Sequence, residues 1–324
     1  MNSGIITASA PDFSIDVARN GYAWWYVDAL SDDGQHGLTI IAFIGSVFSP
    51  YYLAARARGA GDPLNHCAIN VALYGRTKRW AMTERGRCAV SRSKQTFRAG
   101  PSALDWDGAT LTIGIDEICM PIPHKLRGRV RVRPTGLTGE HFVLAKPGHH
   151  CWQPLAPLCR VEADFQNPAL SWSGRGYFDR NWGAEPLEDG FRSWTWSRSE
   201  QPGATTIFYD VARRVEPDEA PGAGLALRVG ANGQITPMTA PPKAALPKTQ
   251  LWRIPRETRS DAGSSASVLQ TLEDTPFYAR SIVANSIDGQ PAKSFHEALS
   301  LDRFKSRIVQ RMLPFRMPRR AGKI

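Results

Sequence analysis

Apolar positions in this chain come in short runs separated by Gly, Pro, Asn and Asp, the pattern of strands joined by turns. The first run, Asp12 to Asp33, carries Phe13 and the cluster Trp24-Trp25-Tyr26, then closes on Asp28, Asp32, Asp33 and Gly34, which predicts a strand followed by a turn. Successive strand residues face opposite sides, so Trp24 and Tyr26 share one face and Trp25 takes the other, one face core and the other cavity. Gly37 to Ala55 has no formal charge and is long enough to suggest a membrane span. Gly45, Ser46, Ser49 and Pro50 oppose a spanning helix, while Ile40, Ile41, Phe43, Ile44, Val47 and Phe48 favour a strand, so a buried strand with a turn at Ser49-Pro50 is expected.

Further runs follow at Ala68–Tyr74, Cys88–Ser91, Ala109–Ile115 and Val130–Val132. A second round follows at Cys159–Phe165, Leu170–Phe178, Phe191–Ser197, Thr205–Ala212, Gly224–Val229, Val268–Leu272 and Phe277–Asn285. Regular short strands without long helical periods indicate an all-β, antiparallel barrel or sandwich, and two rounds suggest two similar domains. Proline-rich Thr239–Pro247 reads as a loop, and Arg259–Ser267 as a flexible surface turn. From Ser300 the period becomes helical: Leu301, Phe304, Ile308 and Met312 form an apolar stripe beside Arg303, Arg307 and Arg311, stopped by Pro314.

Composition changes this picture at one point. At 324 residues with 42% hydrophobic content, the chain can bury two cores. Of its net charge of +10, residues 300–324 hold +7: eight lysines and arginines stand there against Asp302 alone. A nucleic-acid face would spread its basic residues over the fold, so one basic end argues for a short amphipathic helix that either docks on a barrel or lies on an anionic membrane surface. Met1-Asn2-Ser3-Gly4-Ile5-Ile6 lacks the features of a secretory leader, which predicts a cytoplasmic protein. Cys67, Cys88, Cys119, Cys151 and Cys159 form no CxxC pair, which fits reduced thiols and no metal site.

The chemistry concentrates in Gly174–Arg198. Tyr177, Phe178, Asp179 and Trp182 crowd between Gly174, Gly176 and Gly183, glycines that read as punctuating strand from turn. Upstream stands His149-His150-Cys151-Trp152. His150 with Trp152, and Tyr177 with Asp179, share the i, i+2 spacing that projects both members of a pair from one strand face. If both strands line one cavity, it holds an acid, a base and two aromatic faces. Taken alone, Asp179 beside Arg180 is more often a surface ion pair, a lone histidine is usually structural, and His149 is an alternative to His150. Glu185, Glu188 and Asp189 resemble a solvated turn and remain reserve acids.

Four segments resemble the carotenoid 1,2-hydratases (hydroxyneurosporene synthases) of photosynthetic bacteria: G-Y-A-W-W-Y-V-D-A-L-S-D-D-G from Gly21, L-T-I-I-A-F-I-G-S-V-F-S-P-Y-Y from Leu38, the stretch around Asp179, and L-P-F-R-M-P-R from Leu313. The resemblance implies two lipocalin-like antiparallel β-barrels, at residues 1–149 and 150–299, and a basic tail at 300–324. It implies cofactor-independent addition of water to the terminal double bond of an acyclic carotenoid, at a peripheral membrane site. An aspartic acid with a pKa of about 3.9 is protonated about once in a thousand at pH 7, which costs roughly 4 kcal/mol. Burial of Asp179 among Tyr177, Phe178 and Trp182 would raise that pKa. A tertiary cation would be attracted to the ring faces of Trp152 and Tyr177 by about 0.5–2 kcal/mol each. His150 is expected to accept the proton of the attacking water. Trp182, Phe178, Trp25 and Asp28 are expected to bind substrate. Two other classes fit the same sequence: a non-catalytic lipocalin-like polyene carrier, and a carbohydrate-active protein built on the ten tryptophans, although no acid pair shows by spacing.

Overall fold

The computed structural model describes residues 10–145, 148–214 and 224–320. Met1–Ile6 and Lys323, which entered the reading of the two ends, lie outside them. The chain is mostly β and divides into two compact units: residues up to Pro186 together with those from Arg311 onward, and Leu187–Gln310.

The first unit comprises β1 (Tyr22–Ser31), β2 (His36–Ile44), helix α1 (Pro50–Ala57), β3 (Ala68–Gly75), β4 (Arg79–Met82), β5 (Glu84–Arg85), β6 (Val90–Arg92), β7 (Thr96–Ala99), β8 (Ser102–Trp106), β9 (Leu111–Ile118), β10 (Lys125–Pro134), β11 (Phe142–Val143), β12 (Cys151–Asn167) and β13 (Ala169–Gly183). Its large sheet runs β4-β3-β2-β1-β13-β12-β10-β9-β8-β7-β6. The amide of Met120, just past β9, donates to the carbonyl of Trp80 on the edge strand β4 at 3.2 Å, so the sheet curls back on itself. The expected boundary at 149/150 is therefore corrected. β12 and β13 pair with β10 and β1 to form the middle of this sheet, and the boundary lies after Pro186.

Strand alternation sorts the side chains. Ala23, Trp25, Val27 and Ala29 of β1 enter the apolar core with Phe178 of β13. Trp25 packs edge-on against Phe13 at 4.9 Å, so this substrate-binding candidate, like Phe178, is a core residue. Tyr22, Trp24, Tyr26 and Asp28 take the opposite face. Gly174 and Gly176 do not end a strand; they lie inside β13. A Cβ on Gly176 would come within 2.5 Å of Val161 Cγ2 and 2.6 Å of the Asp28 carbonyl, and one on Gly174 within 1.9 Å of the Leu30 carbonyl. These glycines let β1 approach β13 closely, which keeps the flanking functional residues in contact.

Gly37–Ala55 resolves into β2 and α1. The expected turn at Ser49-Pro50 is a helix start, with Ser49 Oγ accepting from the amides of Tyr51 and Tyr52 and Pro50 at the first helical position. Among the described residues no helix is long and apolar enough to cross a membrane.

The second unit holds α2 (Leu187–Gly190), β14 (Phe191–Gln201), β15 (Ala204–Arg213), β16 (Leu225–Gly230), β17 (Ile235–Pro237), β18 (Lys243–Leu246), β19 (Arg256–Arg259), β20 (Ser267–Asp274), β21 (Tyr278–Ile287), β22 (Gln290–Ser300) and α3 (Leu301–Phe304). Its sheet runs β17-β16-β15-β14-β22-β21-β20, and β18 pairs with β19, so part of the expected Thr239–Pro247 loop is a strand. His296 on β22 faces Ser197 and Ser281 on its neighbours, and its Nε2–H donates to the Glu257 carbonyl at 2.8 Å. Complete burial pushes this imidazole down to about 4. Unfolding returns it to about 6.5, so below that pH the unfolded chain binds more protons than the folded one. The stability that the neutral ring contributes is whole above about pH 6.5 and is lost as the pH falls towards 4, by about 3 kcal/mol. Urea unfolding between pH 7 and 4.5 should show this loss, and His296→Gln should flatten it. An equally steep decline in the variant would assign the acid sensitivity to other groups.

The C-terminal segment is not one helix. It breaks at Lys305-Ser306 into α3 and α4 (Arg307–Met312), continues as a 3-10 turn (Leu313–Phe315) and ends in β23 (Arg319–Arg320), which pairs in parallel with β5. The predicted stripe is split accordingly: Leu301 and Phe304 are buried, whereas Ile308 and Met312 are exposed. Four of the segment's seven described basic residues are engaged within the protein. Arg303 donates to the Trp252 carbonyl, Lys305 pairs with Asp189, Arg316 lies over the Trp80 ring at 4.2 Å, and Arg319 pairs with buried Glu84.

Candidate functional site

The site grows from the register of three strands. On β13, Tyr177, Asp179 and Asn181 share one face, opposite Asp28, Tyr26 and Trp24 of β1. On its other side Trp152 of β12 lies directly opposite Asn181, which puts its indole on the Asp179 face. Pro154 and Pro157, which lack an N–H, fall at the two register shifts of β12, where the strand gains extra residues against β13.

The consequence is a tightly held carboxyl group. Trp152 Nε1–H donates to Asp179 Oδ2 at 2.8 Å, and Tyr177 Oη–H donates to the same oxygen at 2.8 Å. Asp179 is 4% exposed, and Trp152 and Tyr177 are fully buried. Phe142 packs against Trp152 with ring centres 5.6 Å apart. Sequence spacing thus pairs Tyr177 with Asp179 correctly and brings Trp152 to them. Arg180, the expected ion partner, faces away: its Nε–H donates to Gln153 Oε1 at 2.8 Å and its guanidinium lies 5.0 Å from the Trp182 ring. Burial lowers the pKa of this guanidinium. Trp182 packs with Arg180, with His141 at 5.6 Å and against the core, so neither it nor Phe178 surrounds Asp179.

His150 is fully buried in a second set of contacts. Tyr22 Oη and His150 Nδ1 are 2.9 Å apart, and His150 Nε2 is 2.9 Å from Glu185 Oε1. The other Glu185 oxygen is 3.0 Å from His149 Nδ1, so one carboxylate joins the two histidines. Glu185 is part-exposed, and the chain Glu185–His150–Tyr22 leads from an accessible carboxylate to a buried phenol that stacks on Trp24 at 4.9 Å. The other reserve acids lie elsewhere: Glu188 and Asp189 belong to α2, and Asp189 pairs with Lys305.

Tyr22 and Tyr26 enter the site without having been singled out for it, and Glu185 enters it from among the reserve acids. Tyr26 Oη–H donates to Asp28 Oδ2 at 3.0 Å, so Tyr26-Val27-Asp28 is a second Tyr-x-Asp. A search for the i, i+2 spacing along the whole chain would have found it.

Residues 40–324 match the family model described as Carotenoid hydratase CrtC. The chain is similar to the acyclic carotenoid 1,2-hydratase of Thiocapsa roseopersicina, at 55% identity over 316 residues covering 97% of this chain and 77% of that one. It is similar to those of Rubrivivax gelatinosus, at 48% identity with 96% and 77% covered, and of Rhodobacter capsulatus, at 40% with 87% and 98% covered. Among solved structures, a putative AttH from Nitrosomonas europaea has a TM-score of 0.59 at 16% identity, with 91% of this chain and 98% of that one covered. Kievitone hydratase from Nectria haematococca has a TM-score of 0.57 at 11% identity, with 92% and 95% covered. These two likenesses are of fold.

Proposed function

Because this chain belongs to the carotenoid hydratase family, we propose that it adds water across the terminal 1,2 double bond of an acyclic carotenoid such as neurosporene or lycopene, giving a 1-hydroxycarotenoid. The observation that carries this reading is the buried Asp179 carboxyl held by Trp152 and Tyr177. Trp152 and Tyr177 both donate to Oδ2, and Oδ1 is the oxygen that carries the acidic proton in this reading. Its transfer to C2 makes a tertiary cation at C1, beside the Trp152 and Tyr177 rings. Water then bonds to C1 and sheds a proton. The reaction is redox-neutral, so a donor, an acceptor and a placed water suffice.

His150 has the geometry of a relay rather than of the direct base expected from sequence. Each ring nitrogen already has a partner, and the imidazole can pass a proton between Glu185 and Tyr22. The lipocalin-like reading of the two sheets as barrels belongs to the same proposal, and the curl of the first sheet supports it for that unit.

Incubation with neurosporene or lycopene tests the reading: a product one water heavier is expected. Retention of the polyene without product would instead favour a carrier.

A carotene has to be delivered from a bilayer, and we place contact with an anionic cytoplasmic membrane face at α4 and the turn after it. Ile308, Met312 and Phe315 are exposed there at i, i+4 and i+7, beside exposed Arg307 and Arg311. Each basic residue near such a surface contributes about 1 kcal/mol. The triple substitution of Ile308, Met312 and Phe315 by serine should abolish flotation with anionic liposomes, and high salt should weaken flotation of the unaltered chain. Equal flotation of the two proteins would move the contact elsewhere. Truncation before Ser300 is a poor probe, since it removes buried Leu301 and Phe304.

A further inference from the structure

Resting on the hydratase reading, we propose that Asp28 is the second acid–base group of the reaction, the acceptor of the proton shed by the attacking water. Asp28 is 0% exposed, a carboxyl group inside the protein on the face that carries Asp179. Burying such a group is costly, and a buried carboxyl group held by a tyrosine hydroxyl, on the face of the site, is a candidate for the chemistry. Its local structure repeats that of Asp179. Tyr26 Oη–H donates to Asp28 Oδ2 at 3.0 Å, as Tyr177 Oη–H donates to Asp179 Oδ2 at 2.8 Å. The two Tyr-x-Asp segments run antiparallel in a crossed register, with Tyr26 opposite Asp179 and Asp28 opposite Tyr177, and the two phenol rings 6.2 Å apart.

Crossed register makes Asp28 and Asp179 diagonal neighbours, a relation that spaces residues by roughly 7–8 Å. Two carboxyl groups projecting from such neighbours on one face can flank a water, the arrangement of hydrolases that place a water between an acid and a base. Two ionised carboxylates in one buried site repel, so the arrangement favours one protonated and one ionised member. His150, engaged through both nitrogens with Tyr22 and Glu185, leaves the acceptor role to another group.

The steps balance. The double bond's π pair takes the proton from Asp179 Oδ1 and forms the C2–H bond, leaving the cation at C1. A lone pair of water forms the C1–O bond, and the released O–H proton goes to Asp28. Asp179 is then ionised and Asp28 protonated. The proton returns through the hydroxyls of Tyr26 and Tyr177, each bonded to one carboxyl and opposite the other in register.

Turnover of lycopene in D2O separates the two roles. With Asp28→Asn the hydrated product should fall by about a hundredfold or more. The recovered carotene should nonetheless gain deuterium at its end group, because Asp179 still protonates C2 and takes a proton back. Asp179→Asn should give neither product nor deuterium. Hydration by Asp28→Asn within tenfold of the unaltered enzyme would overturn the proposal, as would joint loss of hydration and exchange in a variant that melts normally. If Asp28→Asn does not fold, Tyr26→Phe carries the test: hydration should fall about tenfold with exchange retained, and an equal fall in both overturns the proposal. An unaltered enzyme that makes no hydrated product overturns the hydratase reading itself, whereas normal turnover by both it and Asp28→Asn overturns the role of Asp28 alone.

Discussion

Replacing Asp179 with asparagine is expected to abolish hydration and leave the fold intact. The amide oxygen can still accept the hydrogen bonds that Trp152 and Tyr177 give to Oδ2 at 2.8 Å, so the packing of β12 against β13 has no reason to change. What is lost is a proton acidic enough to reach a carbon–carbon double bond. General acid catalysis is typically worth about a hundredfold or more, and here the alternative donor is water at neutral pH. Rate measurement on lycopene with a melting curve checks both halves. Turnover above about a hundredth of the unaltered rate would remove Asp179 as the acid.

The second large effect is expected from Trp152→Ala and Tyr177→Ala, which should lower kcat more than they raise KM. Both side chains act on a charge that develops only in the transition state: their rings face the cation, and their N–H and O–H groups grip the carboxylate left behind. Tyr177→Phe and Trp152→Phe separate these contributions, because each keeps a ring and loses a donor. A hydrogen bond to a charged group is worth about 1.5–3 kcal/mol, so each phenylalanine variant should lose roughly ten- to a hundredfold in kcat and each alanine variant more. Loss of binding alone in both alanine variants would make the rings packing surfaces for the polyene.

Period-two alternation made much of this site legible. It divides Trp24 and Tyr26 from Trp25, and Tyr177 and Asp179 from Phe178, and the observed core follows that division. Alternation also separates Asp179 from its sequence neighbours Phe178, Arg180 and Trp182, which project to the other face of β13. Register across strands was the missing information. Tyr22 meets His150 across 128 residues, and nothing local to either announces it. The Ser49-Pro50 helix start was present as a capping serine before a proline, but the strand formers just upstream drew the reading to a turn. The helical stripe after Ser300 failed for a tertiary reason: Leu301 and Phe304 pack into the protein, while the segment beyond them turns to reach β5.

That return to β5 sets an order of events during synthesis. The second unit, Leu187–Gln310, is an insertion between the two parts of the first, so it leaves the ribosome before residues 316–320 do. Until then Glu84, 1% exposed in the finished protein, lacks Arg319, and Trp80 lacks Arg316. The nascent first unit therefore waits with an unfinished seam while a whole neighbouring unit emerges, although N-terminal units generally complete first. Its last stitch is a parallel pair of residues, Arg319 and Arg320 against Glu84 and Arg85. A ribosome stalled inside the second unit would thus display the curled sheet complete, with β5 beside it still lacking β23.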